Sequence, residues 1–296
     1  MARFSEESLV NWTKPASESE ETKLENAKRM VIQCIKNDPK LKNLNIDIFG
    51  QGSYANDTNV RLNSDIDINV CYREAFFFDL PEGTTREDFG FSGGVTYSIS
   101  EFKDDVERAL VDTFGRQYVS RNDKCITIKA NSYRVETDVV PTWEYRNYWS
   151  DKSFHRGVYI RTDAGKIIKS HPLKHIENGK VKNGETSKRY KRLTRIFKKL
   201  RYKMIDDGVN VSSNITSFLL ECLIWNVPNH ILNNRTNWED RLKGAIAHLY
   251  QGTLEDSKCK SWGEVSEYLY LFHNDRKWTR EDVNNYLLSL WIYLQF

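Results

Sequence analysis

Polar and apolar residues alternate over residues 65–70, DIDINV, with Asp65 and Asp67 at every second position. This period of two predicts a half-buried strand that carries both carboxylates on one face. Residues 46–49 predict a preceding strand, which ends just before Gly52-Ser53. A glycine and a hydroxyl at the end of a strand suit the approach of phosphate oxygens to the backbone. The pattern therefore combines a candidate phosphate site with candidate metal ligands.

Two further strand-like runs follow, residues 125–129 and 133–140, and the second of them offers a third carboxylate. Hard oxygen ligands suit Mg²⁺ or Mn²⁺, and a third acid on a neighbouring strand would complete a two-metal site. Asp138 lies deep in the apolar run, where an unpaired charge is costly to bury, so we favour it as the ligand. Glu136, nearer the exposed end, is the alternative acid and is expected to be a solvated or supporting group. Two aspartates at this spacing are also common on a solvent-exposed face of a sheet, which is the alternative to a metal site for Asp65 and Asp67 alone.

Helices are predicted where apolar residues recur every three or four positions. Ser98 and Glu101 suit a capping box at the start of one helix. The predicted helices cover residues 17–36, 98–115, 186–206, 215–227, 237–255, 262–273 and 280–295.

Turns and irregular segments are expected between these elements. Residues 72–97 resemble a polar and aromatic insertion, and residues 157–172 predict a hairpin. Asn178-Gly179 and Asn183-Gly184 are typical turn pairs. Ser261 and Glu264 suit a capping box for the helix predicted over 262–273.

The change from mixed elements to helices near residue 184 predicts two lobes. We expect an α+β fold in which a mixed sheet lobe packs against a helical lobe, with the active site in the cleft between them. The predicted domains are residues 1–184, a catalytic core with an N-terminal helix, and residues 185–296, a helical lobe.

Composition narrows the function classes only slightly. The 296 residues include 44 basic and 41 acidic side chains, so the net charge of +3 does not by itself indicate a nucleic-acid or membrane partner. Five widely spaced cysteines with no CxxC pair predict reduced thiols. The chain begins without a signal-peptide pattern and has no apolar run near the roughly 20 residues that span a bilayer, so we expect a cytoplasmic protein with no membrane partner.

Two further groups of side chains have competing interpretations. The basic helix 186–206 carries Lys199 and Lys203, either of which could neutralise a triphosphate, although a charged helix flank is usually just solvated. His155, His171 and His175 invite a metal interpretation, but neither a cysteine nor a second acid lies at ligand spacing, so surface or packing roles are favoured.

A family resemblance rests on three motifs. Gly52-Ser53, eleven intervening residues, Asp65-Ile66-Asp67 and later Thr137-Asp138-Val139-Val140-Pro141 resemble the signature of the polymerase-beta-like nucleotidyltransferase superfamily. The loop reads GQGS, with Gln51 between two glycines, which is compatible with the motif. The helical stretches SKRYKRLTRIFKKLR and SFLLECLIW resemble the bacterial cGAS/DncV-like nucleotidyltransferases, or CD-NTases, of anti-phage signalling.

The resemblance implies a set of site residues and a cofactor. It implies that two Mg²⁺ or Mn²⁺ ions are held by a catalytic carboxylate triad and that the donor triphosphate is held from both lobes. The implied catalytic and metal-binding residues are Asp65, Asp67 and Asp138, and the implied triphosphate-binding residues are Gly52, Ser53, Lys199 or Lys203, and Ser217.

The resemblance also implies an activity: ribonucleoside triphosphates become a cyclic oligonucleotide, most simply a cyclic dinucleotide, with release of pyrophosphate, in anti-phage defence. A downstream effector would then recognise the product rather than the enzyme. No Cys/His cluster matches the zinc module of animal cyclic GMP-AMP synthase, so a nucleic-acid activator is not expected. Asn183 has an amide that could read a pyrimidine edge, but turn formation competes for it. The alternatives are an RNA-tailing or small-molecule nucleotidyltransferase of the same superfamily, or a catalytically silent nucleotide-binding scaffold.

Overall fold

The chain folds as two compact units. The computed structural model describes residues 2–15, 18–60, 65–132, 135–273 and 276–296. What we call the sheet unit comprises Ser17–Tyr54 and Leu62–Leu173, and the helical unit comprises Met1–Ala16, Ala55–Arg61 and Lys174–Phe296.

The sheet unit contains one mixed sheet, with seven strands among the described residues. The strands are β1 (Ile46–Gln51), β2 (Ile66–Asp79), β3 (Val119–Arg121), β4 (Ile126–Ile128), β5 (Thr137–Tyr148), β6 (Phe154–Arg161) and β7 (Ile167–Ser170). Five strands follow the order β1-β2-β5-β4-β3, and β6 pairs with β5 and β7. Strands β2 and β5 are parallel, whereas the other paired strands are antiparallel.

The α-helices divide between the two units and confirm most of the predicted ones. The predicted capping box at Ser98–Glu101 forms, and Thr279 and Asp282 form another at the start of the final helix. The helices are α1 (Glu6–Trp12), α2 (Glu18–Asn37), α3 (Gly52–Ala55), α4 (Ile99–Phe114), α5 (Pro172–Glu185), α6 (Arg189–Asp206), α7 (Ser217–Trp225), α8 (Asn229–Asn233), α9 (Trp238–Thr253), α10 (Asp256–Cys259) and α11 (Arg280–Leu294).

Each unit has its own hydrophobic core. In the sheet unit, α2 and α4 cover one face of the sheet, and Val31, Phe102 and Ile68 are fully buried in the shared core. In the helical unit, α6, α7, α9 and α11 surround a core that includes Phe197 and Leu220. None of the described helices combines the length and apolar composition that crossing a membrane requires.

The units divide the chain differently from the predicted domains. The last change of unit lies between Leu173 and Lys174 rather than at residue 184, and two earlier segments belong to the helical unit. The N-terminal segment is fixed there because Leu9 is buried in the helical core and the Glu6 carboxylate accepts hydrogen bonds from the first backbone N–H groups of α9. Such tertiary contacts carry no local sequence signal.

Two turn predictions were wrong, because Asn178-Gly179 and Asn183-Gly184 lie within α5. Asn178 Nδ2 donates to the carbonyl of Val265 at 2.8 Å, and Lys182 Nζ donates to the carbonyl of Trp225 at 2.6 Å. Buried hydrogen bonds of this kind outweigh the weak local preference of Asn-Gly for a turn.

Two other segments also differ from prediction. Residues 262–273 form no helix; Gly263 and Tyr270 instead pair as an isolated bridge, and the Glu264 carboxylate, expected in a helix cap, pairs with Arg276.

The predicted insertion 72–97 begins as the second half of β2, whose pairing with β5 continues to Asp79 after a bulge. Partner strands extend an element beyond its alternating pattern, since the ladder hydrogen bonds do not depend on side-chain type.

Candidate active site

Parallel pairing of β2 with β5 brings two predicted metal ligands side by side. Asp67 lies directly opposite Asp138, one step after the pair formed by Ile66 and Thr137. Neighbouring strands are about 4.8 Å apart, and side chains at paired positions point to the same face. Asp65 directly precedes β2 and is exposed. The fold therefore places two of the three predicted carboxylates on adjoining strands, with the third two residues from Asp67.

The carboxylates repel one another. Burial, and then the negative charges of Asp138 and Asp65, raise the pKa of Asp67 to about 7. Burial and the charge of Asp138 also raise the pKa of Asp65. A bound divalent cation reverses this effect, because its positive charge favours the ionised carboxylates.

The donor set suits a hard cation, although the side chains do not form a closed cage. Thr127 Oγ1 donates to Asp138 Oδ1 at 2.5 Å, which orients one carboxylate. Within the described ranges, no group of three His, Cys, Asp or Glu side chains is arranged to hold a metal ion by itself. Mg²⁺ commonly takes one or two carboxylates together with substrate phosphates and water, so an open set of oxygen donors fits it.

Gly52 meets a steric requirement of the same site. It begins α3 with φ of +70°, and a Cβ at this position would lie 2.0 Å from Asp67 Oδ2. Only glycine leaves room for that carboxylate. Ser53 follows it in α3 and is half-buried. The structure thus brings the predicted phosphate segment against a predicted metal ligand.

A polar ladder supports this face of the sheet. Gln51 lies opposite Asp67 in the register of β1 and β2, and its Oε1 accepts a hydrogen bond from Asn69 Nδ2 at 3.1 Å. Thr142 Oγ1 in turn donates to Asn69 Oδ1 at 2.8 Å. Both Asn69 and Thr142 are fully buried. These side chains link three neighbouring strands, a contact that no pattern in the sequence indicated.

Glu136, the alternative acid, lies just outside the paired carboxylates. Its backbone carbonyl accepts a hydrogen bond from Ile66 N at 3.0 Å. Burial, and then the charges of Asp65 and Asp138, raise the pKa of its side chain. Because Asp138 rather than Glu136 is paired with Asp67, the geometry favours Asp138 as the ligand.

The predicted triphosphate residues of the helical unit lie on α6 and α7. Ser217 begins α7 directly after its N-cap, and its Oγ lies 3.4 Å from the hydroxyl of Tyr202 on α6. Lys199 and Lys203 lie on either side of Tyr202 along α6; Lys199 is half-buried and Lys203 is exposed.

Asn183, the candidate base-reading residue, lies in the last turn of α5. Its Oδ1 accepts a hydrogen bond from the backbone N–H of Lys191 at 3.2 Å. That acceptor therefore helps to cap the start of α6, which favours a structural role.

Comparisons with known proteins identify the family of this chain. A model of the cGAS/DncV-like nucleotidyltransferase C-terminal helical domain matches residues 177–295. A cyclic dipyrimidine nucleotide synthase CdnE from Cecembia lonarensis is 60% identical over 296 residues, with both chains covered completely. The chain belongs to the cGAS/DncV-like nucleotidyltransferases.

More distant members of the family share the whole fold. A cyclic dipurine nucleotide synthase from Elizabethkingia meningoseptica is 36% identical over 99% of both chains. The solved structure of Elizabethkingia meningoseptica CdnE cyclic dinucleotide synthase with GTP and Apcpp has a TM-score of 0.83 at 33% identity, covering 99% of this chain and 100% of that chain. The CD-NTase resemblance and the α+β fold are thereby confirmed, and the chain is an enzyme of the nucleotidyltransferase class.

The three histidines considered as metal ligands in this CD-NTase contact other protein groups. His171 Nδ1 lies 2.9 Å from the carbonyl of Arg156, and the ring of His155 packs at 5.4 Å from that of Trp149. His175 Nε2 lies 3.0 Å from Glu221 Oε1, inside the helical unit. These contacts agree with the packing interpretation of the histidines.

Glu221 is a buried acid that the sequence analysis overlooked. A usable signal was present, since Glu221 is the single charged residue of the apolar helix SFLLECLIW. A lone charge in a buried helix requires a partner.

Proposed function

We propose that this CD-NTase is a metal-dependent synthase that joins two ribonucleoside triphosphates into a cyclic dinucleotide and releases pyrophosphate. The observation that carries the proposal is the pairing of Asp67 with Asp138, with Gly52 packed against the Asp67 carboxylate. Burial and the neighbouring acidic charges raise the pKa of Asp67 and of Asp65, and such perturbed carboxylates at a functional site favour a cation-binding role.

The proposed mechanism assigns distinct tasks to the chain's own residues. Asp65, Asp67 and Asp138 hold the divalent ions, which when bound supply charge neutralisation at phosphate and activation of a hydroxyl. Gly52 allows phosphate oxygens to approach the backbone, while Ser53 offers a hydroxyl donor. The protein acts mainly by positioning and charge neutralisation, so no separate general base is required.

Two side chains of the helical unit are proposed to bind the triphosphate. Lys199 is the proposed cation and Ser217 the proposed hydroxyl donor. The half-buried position of Lys199 supports this choice over the exposed Lys203, because partial burial strengthens an ion pair with phosphate. We therefore assign Lys203 a minor, screened contribution.

Pyrimidine substrates are proposed for both positions of the product. The relative that is 60% identical over its full length is named for a cyclic dipyrimidine product, whereas the dipurine synthase is only 36% identical. A reading role for Asn183 would use its amide N–H₂ group, since its Oδ1 caps α6. In cells, we propose that this product is a second messenger in anti-phage defence, read by a downstream effector.

The direct test is product analysis. Purified protein is incubated with all four ribonucleoside triphosphates and Mg²⁺ or Mn²⁺, and the products are identified by mass spectrometry. We expect a cyclic dipyrimidine product that disappears with EDTA or with Asp67→Asn. Asp112→Asn, which neutralises an exposed acid on α4, is the matched control and should leave the product unchanged.

Two results would contradict the proposal. One is an unchanged product profile in Asp67→Asn, which would show that the carboxylate pair is not the reaction centre. The other is a product that consists only of linear tails on added RNA, which would favour the RNA-tailing alternative. For the cellular role, wild-type and Asp67→Asn chains are expressed in phage-challenged cells, and only the wild type should reduce plaque formation and raise cyclic dinucleotide levels when its effector is present.

A further inference from the structure

A buried charged cluster lies inside the helical unit, and the proposed reaction does not use it. Glu221 on α7 accepts hydrogen bonds from Lys198 Nζ at 2.9 Å and from Thr58 Oγ1 at 2.8 Å, both at Oε2. His175 Nε2 lies 3.0 Å from the other carboxylate oxygen, and Lys198 Nζ also donates to Thr58 Oγ1 at 2.7 Å. All four side chains are buried, so we call them the Glu221 cluster.

The charge state of the cluster follows from its contacts. Burial raises the pKa of Glu221, but the Lys198 ammonium and the hydrogen bond from His175 outweigh it and hold the pKa well below its usual range. Glu221 is therefore ionised and paired. Removing one partner of such a pair leaves an uncompensated buried charge, whereas apolar residues of similar volume often provide equal stability. Stability alone thus gives no reason for this cluster.

The cluster holds one short segment of the chain, residues 55–60. Thr58 is fully buried, and Asn56 and Asn59 are nearly so. A second cation holds the same segment: Arg195 Nη1 donates to the carbonyl of Asp57 at 2.5 Å, while its Nε donates to the carbonyl of Thr13 at 2.8 Å. Residues 55–60 are thus fixed to α6 and α7 from two sides.

The position of this segment in the chain connects it to the proposed site. Thr58 lies between Gly52-Ser53 and Asp65, and the sheet unit includes the chain before Ala55 and after Arg61. Lys198 directly precedes Lys199, and Glu221 follows Ser217 by about one helical turn. Every charged or hydroxyl group proposed to hold the triphosphate is therefore close in sequence to a residue of the cluster or of the segment it holds.

We propose that Glu221, together with Lys198 and His175, is a positioning residue: it fixes residues 55–60 in one conformation, so that the chain that follows Gly52-Ser53 is pre-organised for nucleotidyl transfer. The catalytic consequence of this inference rests on the proposed function. The immobilisation of residues 55–60 does not depend on that function. Small displacements of reacting groups are costly, since a 1 Å misplacement can reduce a rate about 10²-fold.

The test uses a pair of substitutions at Thr58 in the full-length protein. Thr58→Val keeps the shape of the side chain and removes the hydroxyl, whereas Thr58→Ser keeps the hydroxyl. Hydrogen exchange of residues 55–60 is measured by mass spectrometry without nucleotide, and kcat and KM are measured for cyclic product formation. We expect Thr58→Val to exchange at least about tenfold faster in this segment and to lose at least about tenfold in kcat. Thr58→Ser should remain near wild type in both measurements.

A pair of lysine variants provides the matched control. Lys198→Met removes the cation of the cluster, and Lys182→Met removes another buried lysine of the same unit, which donates to the carbonyls of Trp225 and Val227. We expect faster exchange in residues 55–60 for Lys198→Met only. If both variants accelerate exchange there equally, the effect is a general loss of stability and the proposal is overturned.

Two further outcomes separate this proposal from the proposed function. If Thr58→Val and Lys198→Met leave exchange in residues 55–60 unchanged while the proteins remain folded, the positioning role is wrong whatever the enzyme makes. If exchange changes as expected but the product is not a cyclic dinucleotide, the proposed function fails, while the immobilisation is supported. Equal losses of kcat in Thr58→Val and Thr58→Ser would overturn the role of the hydroxyl.

Discussion

Neutralising Asp67 should stabilise the metal-free protein while it abolishes catalysis. The pKa of this carboxyl rises from 3.8 to about 7 on folding, because of burial and the neighbouring acids. The folded protein therefore keeps a proton that the unfolded chain releases between pH 3.8 and pH 7, and the free energy of unfolding falls as the pH rises through this window. One pKa unit corresponds to about 1.4 kcal/mol, so the cost above pH 7 reaches about 4 kcal/mol as an upper limit, because partial exposure screens the charge.

The amide side chain of the Asp67→Asn variant does not titrate, so the variant avoids this loss of unfolding free energy. We expect its free energy of unfolding in EDTA to exceed that of the wild type by about 1 to 4 kcal/mol at pH 8, with little difference near pH 4. Urea unfolding followed by circular dichroism at the two pH values measures the difference. Mg²⁺ with a non-hydrolysable nucleoside triphosphate should then stabilise the wild type more than the variant.

An exposed acid serves as the control for this experiment. Asp112→Asn removes the same charge from a largely exposed position and should show no comparable pH-dependent gain. If Asp67→Asn gains no more stability at pH 8 than at pH 4, the carboxylates do not repel one another as the geometry requires. Repulsion between the acids would then not support a cation site at this face of the sheet.

Three other predictions concern backbone space, charge and a buried lysine. Gly52→Ala places a Cβ 2.0 Å from Asp67 Oδ2 and should displace that carboxylate, so we expect at least about a hundredfold loss of kcat. Circular dichroism should show that the variant keeps its fold, and near-normal activity would contradict the close packing of Gly52 against Asp67. Lys199→Ala should raise KM for nucleoside triphosphate at least about tenfold, whereas Lys203→Ala should raise it less than about threefold; the reverse order would reassign the triphosphate contact. Burial lowers the pKa of Lys182 from 10.5 to about 8. The buried ammonium therefore destabilises the folded protein fully below pH 8, and this destabilisation disappears as the pH rises to 10.5. Relative to Lys182→Met, the free energy of unfolding of the wild type should rise by up to about 3 kcal/mol over this range, and a pH-independent difference in urea unfolding would contradict this.

Local sequence signals correctly predicted the elements that carry the site. The alternation around Asp67 predicted β2, and the Ser98–Glu101 pair predicted the start of α4. Both depend on neighbouring residues only, since side-chain period and helix capping are properties of a few successive positions. The grouping of Gly52 with the acids also came from the sequence, through spacing that resembles a known signature.

Only the tertiary structure shows which acids are paired and which predicted turns form. The sequence favoured Asp138 over Glu136 from its position in the apolar run alone, and the parallel register of β2 with β5 pairs Asp138 with Asp67. Register is set by a partner strand that is distant in sequence. The same reason explains why Asn178-Gly179 is helical, since the Asn178 side chain bonds to the carbonyl of a residue far along the chain.

The Glu221 cluster shows most clearly which contacts cannot be predicted from the sequence. The sequence alone showed a single acid in an apolar helix, which requires a partner but does not identify one. Its partners Thr58, His175 and Lys198 come from three separate parts of the chain and meet only after folding. Local pattern therefore determined the elements and the candidate chemistry, whereas tertiary packing determined which side chains share a site, because a buried charge is satisfied by contacts that sequence distance does not encode.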